Sequence, residues 1–300
     1  MPTGGAPVSS AGPTDGAAPS LIFSWKRGDY EALLRSCDQD DATPHILRHM
    51  PRDRKVVEVG CGLGRFVKYL HDRGFDVDGV EYNAETVRWV NEIAPELRVF
   101  QGDALHMAYP DGSVGGVISL GMIEHFFDGC EGPLREMYRV LAPGAKGIIT
   151  VPTLNRIRRL KRALWLEEAN HFLNPLRLAR SSNMLRRLLG RAPASPRRHQ
   201  LTRRLGGRYA IHPAVGEFFE YRLRKEEFEE VLRATGFAIE TSVPICHMDG
   251  VYHDLGRLFV GFGDWAFRPN ALGRAADRLL RRLPFTHNHM HLCVVSKPAS

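Results

Sequence analysis

Three hundred residues, 43 % hydrophobic and 25 % charged, suit one large or two modest globular domains with a filled core. No run approaches the roughly 18 apolar residues that span a bilayer, the start lacks the basic and apolar regions of a secretion signal, and five cysteines without a CxxC pair argue against a disulfide framework or a zinc knuckle. The net charge of +7 comes from one place: residues 155–208 hold 15 basic and 2 acidic side chains, and the rest of the chain is mildly acidic. The expected setting is cytoplasmic and reducing.

Gly, Pro, Ala, Ser and Thr fill 17 of the first 20 positions. Such a segment has too little apolar surface to offset the entropy of ordering it, so residues 1–20 are expected to be a disordered tail. Residues 21–152 follow as a core in which, from Arg54, strand and helix signals alternate. KVVEVG is a short apolar strand ending at glycines, and RFVKYLHDRG a helix stopped by Gly74. FDVDGVE, AETVRWVNEIA and LRVFQGD give strand, helix, strand. VGGVISL is a fourth strand, PLREMYRVLAPG a helix closed by Pro143-Gly144, and KGIITVP a fifth strand. This order predicts parallel pairing with right-handed crossovers in a doubly wound α/β sheet. At Pro152 the alternation breaks, and residues 153–221 read as an Arg- and Leu-rich helical insertion. Residues 222–300 then complete the sheet: KEEFEEVLRATGF is a helix ending at Gly236, FAIETSVP and HLCVVSKP are strands, and 248–290 is an excursion between them.

The first strand runs into Glu58-Val59-Gly60-Cys61-Gly62-Leu63-Gly64, where glycines let the backbone turn sharply and approach a ligand. The third glycine is one place early for a dinucleotide fingerprint, and Arg65 stands where Gly or Ala is wanted. No GxxxxGK[ST] is present. The second strand ends in Glu81, placed to accept both hydroxyls of a ribose, and Tyr82 offers a flat face for a base. At the third strand end, Gly102-Asp103-Ala104, the Asp can accept from an exocyclic amine. Together these describe an adenosine-sized ligand that needs no phosphate.

From about Val56 to Pro152 the chain resembles the class I S-adenosylmethionine-dependent methyltransferases, in EVGCGLG, the acid of VEYN, QGDA, VISLGMIEHF and LAPGAKGIITVP. The ending FFEYRLRKEEFEEVLRATGF is similar to that of many small-molecule methyltransferases in this family. The resemblance implies a mostly parallel seven-stranded sheet, S-adenosyl-L-methionine as methyl donor and S-adenosyl-L-homocysteine as product. It implies that Glu58 with the loop Gly60, Cys61, Gly62 and Gly64 holds the methionine end. Glu81 would take the ribose, Asp103 between Gly102 and Ala104 the adenine amine, and Tyr82 the ring. Leu120 to Met122 would line the sulfonium side. Gly115-Gly116 departs from the family's acid before the fourth strand, and Gly144-Ala145 from its paired glycine. Cys61 reads as a small buried filler rather than a nucleophile.

Methyl transfer from a sulfonium depends on orienting two reactants, worth roughly 7–11 kcal/mol. A general base adds a factor of about 10²–10⁴, or roughly 3–5 kcal/mol. The candidate base is His125 in MIEHF, just past the fourth strand, with Glu124 to orient it. Some quinone-pathway O-methyltransferases with a similar IEH segment are thought to use a metal there; the alternative is that Glu124-His125 only starts a helix. His287, His289 and His291 alternate like a strand and would share one face. They could ligate a metal or wall a substrate pocket, although such a cluster is more often a solvated strand entrance, and no metal is assigned.

The basic insertion has three open readings. It can be a lid packed by its leucines, an interfacial helix on an anionic membrane reaching a lipid-like acceptor, or a nucleic-acid contact. The chemistry disfavours the last: the chain has neither the [DN]PP[YF] segment of base-amine methylation nor a Pro-Cys pair. The expected activity is methylation, at oxygen, of a small-molecule or lipid-like acceptor. An RNA or protein methyltransferase, or a nucleoside-binding module without catalysis, is the alternative.

Overall fold

The computed structural model describes residues 6–8, 22–163, 209–211, 218–263 and 265–299. Seven strands form one sheet: β1 (Val56–Val59), β2 (Val77–Glu81), β3 (Arg98–Gln101), β4 (Val114–Leu120), β5 (Leu141–Pro152), β6 (Ala238–Ile245) and β7 (Met290–Ser296). Their order is β6-β7-β5-β4-β1-β2-β3. β1 to β5 pair in parallel, and β7 runs antiparallel between β5 and β6. The order reverses between β1 and β4, and at such a switch point the carboxyl ends of the strands open into a crevice.

Strands buried on both faces read as continuous apolar runs, as β1 and β4 do. Alternate residues feed two cores. Val56, Ile118, Ile148 and Leu292 face α1 (Tyr30–Ser36), α2 (Thr43–His49), α3 (Arg65–His71) and α4 (Ala84–Ile93). Val57, Val117, Ile149 and Cys293 face α5 (Glu131–Val140) and α7 (Lys225–Thr235). Gly115 and Gly116, where the family has an acid, make room for other parts of the chain. A Cβ on Gly115 would lie 2.4 Å from Arg54 Cβ, and one on Gly116 2.8 Å from Met50 Sδ.

Three boundaries differ from the sequence reading. α5 stops at Val140, because Leu141 is already extended and Pro143 cannot continue a helix; Leu141–Gly144 belongs to β5. Ala6–Val8, within the expected disordered tail, pairs antiparallel with Ile22–Ser24. In the insertion, only α6 (Arg156–Ala163) and an antiparallel pair, Tyr209–Ile211 with Phe218–Tyr221, are described. Its remaining residues, 164–208 and 212–217, lie outside the described residues. The excursion 248–290 is built of α8 (His247–Leu255), a short pair Val260–Gly263 with Ala266–Pro269, and α9 (Ala271–Leu280).

Candidate cofactor and catalytic site

Between β1 and α3 the chain makes the turn that the glycines announce. Gly60 and Gly62 sit at φ of 75° and 55°, where a side chain is strained. A Cβ on Gly60 would come within 2.4 Å of Met122 Cγ, and one on Gly62 within 2.8 Å of the Trp25 ring. The loop is therefore a bare backbone cradle with Met122 on one side and Trp25 on another. Gly60 and Cys61 donate N–H to the Val80 carbonyl at 2.8 and 3.1 Å, tying loop to β2. The Cys61 thiol is buried and pushed well above its usual range by that burial, as a filler would be. Gly64 ends the loop at φ 69° and caps α3.

Glu58 is buried at the tip of β1, and its Oε2 has no hydrogen-bond partner among the described residues. Burial pushes its carboxyl up to about 8, against the pull of nearby Arg65. Arg65 in turn donates to Asp40 at 2.7 Å and to Ser36 at 2.9 Å, which fastens the end of α1 and the turn after it to the start of α3. Glu81 is held by the backbone: Gly62 N–H donates to Oε2 and Asn83 N–H to Oε1, each at 2.9 Å. Burial raises its carboxyl despite those bonds. Asp103 Oδ1 accepts from Leu105 N–H at 2.9 Å, and Gly102 N–H donates to the Glu81 carbonyl at 3.0 Å with buried Ala104 following. Tyr82 is exposed beside them. Three adjacent strand tips thus carry Glu58 with the glycine loop, Glu81 with Tyr82, and Gly102 to Ala104. Leu120, the last residue of β4, and Met122 just after it are half-buried.

Glu124 and His125 lie in a single 3₁₀ turn, Ile123–His125, with Glu124 Oε1 3.8 Å from His125 Nε2. Burial drives the Glu124 carboxyl well above its usual range, and Oε2 has no hydrogen-bond partner among the described residues. The sequence reading missed Glu220. It is buried, and although burial works to raise its carboxyl, Arg222 at 2.8 Å and the field of His125 carry it below the usual range. It was invisible because 94 residues separate it from His125.

The three histidines near the C-terminus do not share a strand face, because β7 begins only at Met290. His291 packs edge-on to Phe228 and bonds Ser242 Oγ at 2.8 Å. His287 pairs with Asp277 at 2.8 Å. His289 stacks on His253 with ring centres 4.8 Å apart, beside Asp249. Asp249, His253 and His289 come close enough to ligate a cation, but the Arg158 guanidinium lies 2.6 Å from His289 Nδ1, within a buried network that includes Asp254 and Asn155. The Arg158 guanidinium thus engages His289 Nδ1, one of the atoms such a cation would need. The cluster reads as a polar floor beyond the end of β5.

A doubly wound sheet of this order, with a glycine turn at its switch point, has the fold of the class I S-adenosylmethionine-dependent methyltransferases. The methyltransferase domain family matches residues 57–149, and the chain carries that domain. A probable S-adenosylmethionine-dependent methyltransferase of Mycolicibacterium smegmatis is 35 % identical over 111 residues, covering 37 % of this chain and 42 % of that protein. Ajmaline N-methyltransferase of Rauvolfia serpentina is 35 % identical over 106 residues, covering 33 % and 36 %. The chain thus matches less than half the length of these curated relatives. An S-adenosylmethionine-dependent methyltransferase from Methanosarcina mazei superposes with a TM-score of 0.52 at 16 % identity, over 86 % of this chain and 98 % of that one.

Proposed function

We propose that the chain methylates an oxygen of a small-molecule or lipid-like acceptor, using S-adenosylmethionine. The observation that carries the donor is the cradle itself: a glycine turn with no room for a Cβ, beside a buried carboxyl oxygen that lacks a partner, fits the methionine end of that molecule. Glu58 would face its ammonium, Glu81 its ribose and Asp103 its adenine. When bound, S-adenosylmethionine supplies an electrophilic methyl group on a sulfonium sulfur.

The remaining work falls to this chain's side chains. Trp25, Met122 and Leu120 exclude water from the sulfonium side. His125 takes the hydroxyl proton of the acceptor as the new C–O bond forms. Glu220, whose carboxyl Arg222 helps to carry below its usual range against the burial that works to raise it, favours the imidazolium that results. A small-molecule acceptor finds support in the relative named ajmaline N-methyltransferase, although that name places the methyl group on nitrogen. The exocyclic-amine and Pro-Cys motifs of nucleic-acid methylation are absent from the sequence.

The test uses S-adenosylhomocysteine and two variants. The product raises the melting temperature of the parent chain, and Glu81→Ala abolishes the rise. His125→Ala keeps the rise and lowers methyl transfer by about 10²–10⁴. Unchanged turnover in His125→Ala would remove the base assignment. A melting shift with NADH but none with the product would remove the donor as well.

A further inference from the structure

Among the described residues, six of the eight exposed large apolar side chains lie on elements that are joined to one another. Leu272 and Leu279 stand on α9, Leu283 in the turn that follows it, Leu160 on α6, and Leu258 and Phe262 just past α8. The five leucines are 57–67 % exposed. Arg156 and Ile157 donate N–H to the Phe285 and Thr286 carbonyls at 3.0 and 3.1 Å, and Lys161 bonds the Asp254 carbonyl. A Cβ on Gly273 of α9 would come within 2.2 Å of the Phe259 carbonyl oxygen, so α9 lies hard against the chain after α8.

Among the described residues around the leucines, the exposed charge is of one sign. On α9, positions 272, 275 and 279 recur at helical spacing as one exposed apolar stripe that 283 continues, and Arg274, Arg278 and Arg282 flank it. Arg156 and Arg159 are exposed on α6, and Arg257 beside Leu258. The acid of α9, Asp277, is taken up by Arg281 and His287.

We propose that this surface docks on an anionic phospholipid bilayer, the leucines entering the boundary between headgroups and acyl chains and the arginines meeting the phosphates. Both halves of the pattern are needed for that partner. A nucleic acid would meet the arginines but leave the leucines in water, since bases stack on aromatic rings rather than on aliphatic chains. A second copy across a two-fold axis would set arginine against arginine. The surface adjoins the end of β5, on the acceptor side of the sheet, and α6 leads from it into the basic segment 164–208. The inference is independent of the reaction proposed above.

Flotation of the full chain with vesicles tests it. Vesicles of phosphatidylcholine with about one third phosphatidylglycerol bind the chain in about 0.1 M salt and release much of it in about 1 M, whereas pure phosphatidylcholine binds far less. Arg278→Gln with Arg282→Gln weakens binding roughly 25-fold, about fivefold for each basic residue lost. Leu272→Gln with Leu279→Gln removes the part that resists salt. Each variant keeps its melting shift with S-adenosylhomocysteine, which shows that it is folded. Equal binding to neutral and anionic vesicles overturns the proposal, as does parental binding by both double variants. A dimer that dissociates in the leucine variant overturns it in favour of self-association, and single-stranded RNA outcompeting the vesicles overturns it in favour of nucleic acid. A chain that docks on vesicles but shows no shift with the product refutes the donor reading and leaves the docking face standing.

Discussion

Glu58 illustrates how one residue couples fold and ligand. Its carboxyl sits at about 8 because burial at the tip of β1 outweighs the pull of Arg65, so near pH 7 it is mostly protonated. A ligand ammonium set beside it stabilises the carboxylate, and binding must then expel the proton. Titration calorimetry of S-adenosylhomocysteine at pH 7, in buffers of different ionisation enthalpy, is expected to report release of close to one proton. Affinity rises with pH up to about 8, and Glu58→Gln abolishes both effects. Binding heats that do not depend on the buffer would show that Glu58 does not face the ammonium. The identity and spacing of Glu58, Glu81 and Asp103 were legible in the sequence because each ends a strand, and strand ends follow from local pattern. Glu220 was not, because its place beside His125 depends on how the long insertion returns to the sheet.

At the scale of elements, the same contrast divides regular segments from the surfaces they meet. The β1 to β5 alternation and α7 follow from periodicity and from Gly74 and Gly236, both in left-handed backbone. The expected one-face array of His287, His289 and His291 failed because β7 starts later than alternation alone suggests. What places that segment is α8, through a glycine whose purpose no local pattern reveals. A Cβ on Gly250 would stand 1.4 Å from the His287 carbonyl oxygen, and backbone cannot step aside as a side chain can. Gly250→Ala is therefore expected to cost more than the roughly 1–3 kcal/mol of ordinary overpacking. Gly74→Ala, at φ 77° with open space around it, should cost only the roughly 1–2 kcal/mol of left-handed strain. Urea unfolding of the two variants measures the difference. Equal losses would mean that α8 does not lock onto the His287 segment.

For the molecule as a whole, two cores on either face of one sheet bury titratable groups that pull in opposite directions with pH. His291, wholly buried in β7, faces Ser242, Glu229, Lys225 and Cys293, and burial depresses its imidazole to about 4. A depressed imidazole costs stability as pH falls: the unfolded chain takes a proton near 6.5, and the folded chain refuses it until about 4. Glu58 works the other way, since a raised carboxyl stabilises the fold fully below its ordinary 4.5 and loses that contribution as pH rises toward 8. Glu81 and Glu124 share its direction. Between 4.5 and 6.5 these slopes oppose, so the pH profile of the parent chain alone would not expose His291. The difference from a variant does. His291→Gln loses its edge-on ring contacts at every pH, a constant offset, but no longer resists protonation. From pH 7.5 to 4.5 it should gain roughly 2–3 kcal/mol on the parent, at about 1.4 kcal/mol per pH unit below 6.5. Urea unfolding at four pH values across that range reads the gain directly. A difference that stays flat would mean that His291 takes up its proton near 6.5 in the fold as in the unfolded chain, so that its burial between β7 and α7 does not resist the charge.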